Sequence, residues 1–215
     1  MRHEVGVAAT LLAVASIMTA ARATHDARPP LAHTGGFGEP TCVECHFDNP
    51  PRRGEGLSLG GLPERYAPGS LYRLEVTIAD TAARAGGFQL AVRAAAPPNA
   101  GAQAGTLCAA SGRVAITEDT TGVQYASHAG AATADSLRWE LMWRAPAEDV
   151  GPVVFHVAAN AANDDDSPLG DQIFVEAVEI RGQESGVRSQ GVSGSGCQGC
   201  ACRSPHTHTL TPPDP

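Results

Sequence analysis

The 215-residue chain contains no lysine, and all 15 of its basic residues are arginine. Schiff-base and lysine-nucleophile chemistry are thereby excluded. Aromatic residues are few, with five Phe, three Tyr and two Trp, so a core has to be built from aliphatic side chains around a handful of rings. Positive charge is in deficit as well: the formal net charge of −8 argues against a nucleic-acid partner and for steering toward basic surfaces. There is no Gly-x-Ser-x-Gly elbow, zinc-protease motif or phosphate-binding loop, so hydrolytic and phosphoryl chemistry have no positive signal. Beyond residue 23 no apolar run approaches the length of a membrane span, and no transmembrane segment is expected in the mature chain.

What is present begins with an export signal. Arg2, an apolar stretch from Val5 to Met18 and the small-x-small triplet Ala21-Arg22-Ala23 read as a signal peptide over residues 1–23, cleaved before Thr24. Its removal takes away two arginines and one glutamate and moves the charge from −8 to −9. Six cysteines fit an oxidising compartment, so the expected location is the periplasm or the cell surface and medium.

From Thr24 to Leu62 the chain is rich in Pro, Gly, Arg and Asp and shows neither helical nor strand period. Beyond it short alternating runs take over. Tyr72, Leu74, Val76 and Ile78 alternate with polar residues, as do Phe88, Leu90 and Val92, then Val114 and Ile116, Val123 and Tyr125, Trp139, Leu141 and Trp143, and Val153, Phe155 and Val157; Ile173 to Ile180 makes a last strand. Turn residues such as Ala67-Pro68-Gly69, Gly86-Gly87 and Pro97-Pro98-Asn99 separate them. Seven or eight short strands so spaced predict an all-β fold, an immunoglobulin-like antiparallel sandwich over residues 63–182, with Trp139 and Trp143 as its largest core side chains. Residues 183–215, rich in Gly and Ser and carrying Cys197, Cys200 and Cys202, read as a disordered tail.

The irregular segment 24–62 carries Cys42-Val43-Glu44-Cys45-His46, the Cys-x-x-Cys-His spacing of covalent c-type haem attachment. Two thiols three residues apart lie on one side of a turn and can each form a thioether, and the following imidazole can take an axial position on iron. The expected cofactor is therefore covalent haem c, with Cys42 and Cys45 as attachment points and His46 as iron ligand. A second axial ligand would come from His128 or His33, and Arg52 and Arg53 would meet the propionates. On this reading the protein is an exported monohaem cytochrome, a carrier of electrons between basic partner proteins and not an enzyme. Against it stand a five-coordinate ligand or peroxide sensor, half of a zinc site, a redox Cys-x-x-Cys that happens to be followed by His, and a plain disulfide. In the last case the protein is a non-enzymatic adhesion or matrix module with a Cys42–Cys45 disulfide and no haem.

Several segments taken in order resemble secreted bacterial Reeler-like, or choice-of-anchor, domain proteins. They are Thr34-Gly35-Gly36-Phe37-Gly38-Glu39 leading into the cysteine motif, Tyr66-Ala67-Pro68-Gly69 with Tyr72, Gly87-Phe88-Gln89-Leu90, Tyr125-Ala126-Ser127-His128, Trp139 with Trp143-Arg144-Ala145-Pro146, and Val154-Phe155 through Asn160, Asn163 and Gly170-Asp171. The resemblance spans roughly residues 31 to 181 and implies an immunoglobulin-like sandwich with one haem motif at its front and a variable device for surface attachment. Gly196 to Arg203 resembles the start of a cysteine-containing sorting signal without its apolar part.

Three further features are open to more than one use. His156 alternates with core residues and is expected on the outer face of its strand, and Met142 points away from the tryptophans. Asp164, Asp165, Asp166, Asn160, Asn163 and Asp171 offer oxygens for calcium but match no EF-hand, and a solvated turn with one structural aspartate is preferred. Cys108 reads as a small buried residue or as a partner for a tail cysteine.

Overall fold

In the computed structural model the described residues are 28–183 without 131, 135, 136 and 166. The expected signal peptide and the cysteine-bearing tail lie outside them. The chain is all-β, two sheets packed as a sandwich, as the alternation predicts. The larger sheet runs in the order β1 (Arg52–Arg53), β12 (Gln172–Gly182), β11 (Val153–Ala162), β5 (Ala85–Ala94), β8 (Gln124–His128) and β7 (Val114–Glu118), with β3 (Arg65–Tyr66) paired to β12 and β9 (Ala132–Thr133) to β5. The smaller runs β2 (Leu57–Gly60), β4 (Leu71–Ile78), β10 (Arg138–Arg144) and β6 (Thr106–Ala109). Neighbours are antiparallel except where β1 and β3 meet β12. The sandwich thus takes its edge strand from Leu57–Gly60, inside the stretch expected to be irregular.

The period-2 pattern sets the core. Leu74, Val76 and Ile78 of β4, Trp139, Leu141 and Trp143 of β10, and Val153, Phe155 and Val157 of β11 all face the space between the sheets. Trp143 is wholly buried among Phe155, Tyr66 and Tyr72, with ring centroids 4.9, 5.7 and 5.5 Å away, and its Nε1 donates to the carbonyl of Ala104 at 2.9 Å. Tyr66 closes one end of the core: its hydroxyl donates to Gly151 O at 2.8 Å, and burial pushes that hydroxyl up to about 12. Arg73 with Glu140 and Arg138 with Glu75 pair across the outer face of the smaller sheet, where such pairs add only a few tenths of a kcal/mol.

The central part of the larger sheet does not meet water on its outer face, whereas the far end of β12, at Ala177, Glu179 and Arg181, does. In β5 every residue after Ala85 is buried, including the polar Gln89 and Arg93. The cover is residues 28–50, a strap that crosses β5, β8, β11 and β12 as a third layer. Leu31 and Ala32 pack on Ala91, Val123 and Tyr125, while Cys42 and Val43 pack on Ala158, Ile173 and Val175.

Candidate functional site

The strap is held by buried polar groups. The chain turns back at Gly38, whose φ of 85° suits glycine, and delivers the Glu39 carboxylate under the strap. There Glu39 ion-pairs with Arg93 and accepts from the Tyr125 hydroxyl at 2.7 Å and from Thr34 Oγ1 at 2.5 Å. Gln89 adds a fork: its Oε1 accepts from the N–H of His33 at 2.7 Å and its Nε2 donates to Pro30 O at 2.8 Å. Gly36 lies against the His156 ring so closely that a Cβ there would come within 2.5 Å of it. His156 is on the outer face of β11 as predicted, but Phe37 covers it edge-on at 5.5 Å, and burial together with the Arg93 and Arg53 charges holds its pKa below the ordinary imidazole value.

Beside this clamp, where the strap leaves β5 and approaches the loop between β11 and β12, is a cleft of about 480 Å³. Its walls bring together His33, Cys42, Cys45, His46, His128 and Asp171, over a floor that includes Gly86 and Gly87. The sequence motif and both candidate axial ligands therefore share one cavity. Cys42–Glu44 forms a single 3-10 turn capped by Thr41, whose Oγ1 accepts from Val43 N at 3.4 Å. Both cysteines are free thiols, Cys42 half-buried and Cys45 exposed, so the disulfide of the module reading is not formed in this structure. Burial pushes the Cys42 thiol up to about 12.

The imidazoles are engaged by the protein itself. Nδ1 of His46 is 2.6 Å from Asp171 Oδ2, and the Asn160 amide nitrogen lies 3.2 and 3.3 Å from its two ring nitrogens. Asp171 is buried at the start of β12; its other carboxylate oxygen accepts from Asn163 N at 3.1 Å and its carbonyl from Asn49 Nδ2 at 2.9 Å. It is the structural aspartate of the acidic loop, tying strap, β11 and β12 together. His33 places Nδ1 2.8 Å from Leu31 O and Nε2 2.9 Å from Glu44. His128 accepts on Nδ1 from the N–H of Phe88 at 3.1 Å and fills the space over Gly87, where a Cβ would come within 2.3 Å of its ring.

These contacts correct the cytochrome c reading. Haem iron, electron transfer through it and metal binding by this site are not supported. His46, the expected axial ligand, has Nδ1 on Asp171, His33 has its two ring nitrogens on Leu31 O and Glu44, and His128 has Nδ1 on the Phe88 backbone. Among the described residues no group of three or more His, Cys, Asp or Glu side chains is placed to hold a metal ion. Arg52 and Arg53, expected to meet propionates, form β1, exposed and paired with Phe174 and Val175. Cys108, read as a lone small residue or a tail partner, is half-buried in β6 and disulfide-bonded.

The clamp was not visible in the sequence. Gln89 and Arg93 alternate with Phe88, Leu90 and Val92, which reads as an ordinary water-facing strand side. The one available signal was that Gln89, Ala91 and Arg93 share a face with no acidic neighbour in their own strand.

No helix among the described residues is long and apolar enough to cross a membrane. No family model matches the chain, and no curated protein matches it. Among solved structures it is similar to the Reelin-N domain of F-spondin, at 17% identity and a TM-score of 0.47 over 66% of this chain and 96% of that one. It is also similar to the human F-spondin reeler domain, at 19% identity and 0.44 over 62% and 95%. A third is a cohesin module from a Clostridium perfringens ATCC13124 family 33 glycoside hydrolase, at 12% and 0.40 over 59% and 94%. At these scores the likenesses assign the chain to no family.

Proposed function

We propose that the chain is an exported, non-enzymatic binding module of the extracellular or periplasmic space, and that the cleft between strap and sheet is its recognition site. The observation that supports this best is how the ionisable side chains around the cleft are used. Asp171, His46, His33 and His128 each hold another part of the fold in position, and Glu39 and Arg93 fix the strap that forms one wall. A cleft with its walls fixed before a ligand arrives loses little entropy on binding, which favours recognition. The acidic balance points to a basic partner.

The test has two arms. The intact mass and pyridine haemochrome spectrum of the mature chain, expressed with a cytochrome c maturation system, are expected to give the bare polypeptide and no haem bands. Labelled protein is then applied to arrays of basic peptides and of polysaccharides, next to Ala162→Trp, which fills the cleft from its rim. Retention by the parent and loss by the variant is the expected result. A mass heavier by one haem, or binding indifferent to Ala162→Trp, overturns the proposal.

A further inference from the structure

Two sulfurs line the cleft and form no disulfide in this structure: those of Cys42 and Cys45. The 3-10 turn puts them on the same side, since side chains three residues apart eclipse in that geometry. Cys45 N–H and His46 N–H both donate to Cys42 O, at 3.2 and 3.0 Å, so the turn is tight and fixed at both ends. Both residues line the same cavity, yet they differ in access: Cys45 is exposed, whereas Cys42 packs on Ala158, Ile173 and Val175.

We infer that Cys42 and Cys45 form a thiol–disulfide exchange site that reacts with external disulfides, in which exposed Cys45 carries the mixed disulfide and sheltered Cys42 resolves it. Cys45 Sγ, as thiolate, attacks one sulfur of the external disulfide. That S–S bond breaks, one sulfur leaves as a thiolate, and the other stays bonded to Cys45. Cys42 Sγ then gives its proton to solvent and attacks Cys45 Sγ, so that the mixed disulfide breaks, the second external sulfur leaves as a thiolate and the Cys42–Cys45 bond forms. The dithiol loses two electrons, which the external disulfide takes up, and two protons, which pass to solvent and from there to the departing thiolates. The division of roles follows from access, because an incoming disulfide reaches Cys45 without disturbing the strap. The burial that raises the Cys42 thiol keeps it out of the first step in the same sense. The product closes the turn whose sulfurs line the recognition cleft, which couples the shape of that cleft to the redox state outside the cell.

The inference rests on the reading that neither sulfur carries haem, and one experiment separates the two. The full mature chain is equilibrated in glutathione buffers from reducing to oxidising, quenched with iodoacetamide, and the peptide holding both cysteines is mapped by mass. Expected is alkylation of both thiols at the reducing end and loss of both together, as an internal disulfide, at the oxidising end. In Cys42→Ser the mixed disulfide with glutathione accumulates on Cys45, and in Cys45→Ser it forms on Cys42 at least about tenfold more slowly. Sulfurs blocked at every potential would sink the haem-free reading. Thiols that stay alkylatable in the most oxidising buffer, or an adduct forming faster on Cys42, would sink the exchange site alone.

Discussion

At the scale of single residues the fold depends on a carboxylate supplied by the part of the chain with the least regular structure. Glu39 is buried with Arg93, and its oxygens also take the Tyr125 and Thr34 hydroxyls. Taking two charges out of water is costly, and only the completed set of bonds offsets it. Arg93 Nε is without a hydrogen-bond partner, and if the carboxylate goes the guanidinium keeps the Tyr125 hydroxyl at 2.6 Å but no counter-charge. Glu39→Ala is expected to destabilise by about 3–5 kcal/mol, the range for a buried charge that loses its partner. Urea unfolding followed by tryptophan fluorescence checks it, the midpoint falling with the slope unchanged. A midpoint that stays put would mean that Arg93 finds water on losing Glu39, and that the strap is a looser cover than its contacts imply.

At the scale of elements the strap is the piece to test, because it is separate from the main core. It contributes two small apolar contacts on the outer face, at Leu31 with Ala32 and at Cys42 with Val43, and is otherwise held by polar groups. Segments with little apolar burial open at lower free energy than the strands beneath them. Gly36 is where backbone and sheet come closest, so a methyl group there has to push the His156 ring or lift the strap. Gly36→Ala is expected to cost about 1–3 kcal/mol, as overpacking does. In hydrogen exchange the amides of residues 33–46 should lose protection in this variant while those of β5 and β11 keep theirs. Equal loss in strap and strands would show that the two unfold as one unit.

The same elements show how far the sequence could be read. Alternation located β4, β5, β10, β11 and β12 and put both tryptophans inside, since a strand with one buried face leaves a period of two wherever it lies. It missed β2 and the strap contacts for one reason: both depend on partners far away in the chain. Leu57–Gly60 is too short to show a period and becomes a strand by pairing with Leu71–Ile78. Gln89 and Arg93 look like solvated residues until Pro30, His33 and Glu39 arrive over them. The cysteine motif was legible as a site, but Cys-x-x-Cys-His gives a spacing of donors and not the partners that hold His46. Asp171 and Asn160, which do hold it, lie 125 and 114 residues away.

For the whole molecule the strap also leaves a mark on stability against pH. His156 is covered by Gly36 and Phe37 on β11, and burial, with Arg93 and Arg53 adding positive charge, holds its folded pKa below the unfolded value of 6.5. Below that value the unfolded chain binds a proton here that the folded chain refuses. Stability therefore rises with pH through this window: it is unaffected by this group well above 6.5 and falls as the pH drops from 6.5 toward the folded value. His156→Gln removes the titration while keeping a polar side chain of similar length. Urea midpoints measured from pH 8 to pH 5 should fall less steeply for the variant than for the parent, with the difference between them developing only on the acid side of the ordinary imidazole value. Parallel curves would mean that the ring reaches water and takes its proton without lifting the strap, and the third layer would then be a cover that opens readily even in the folded protein.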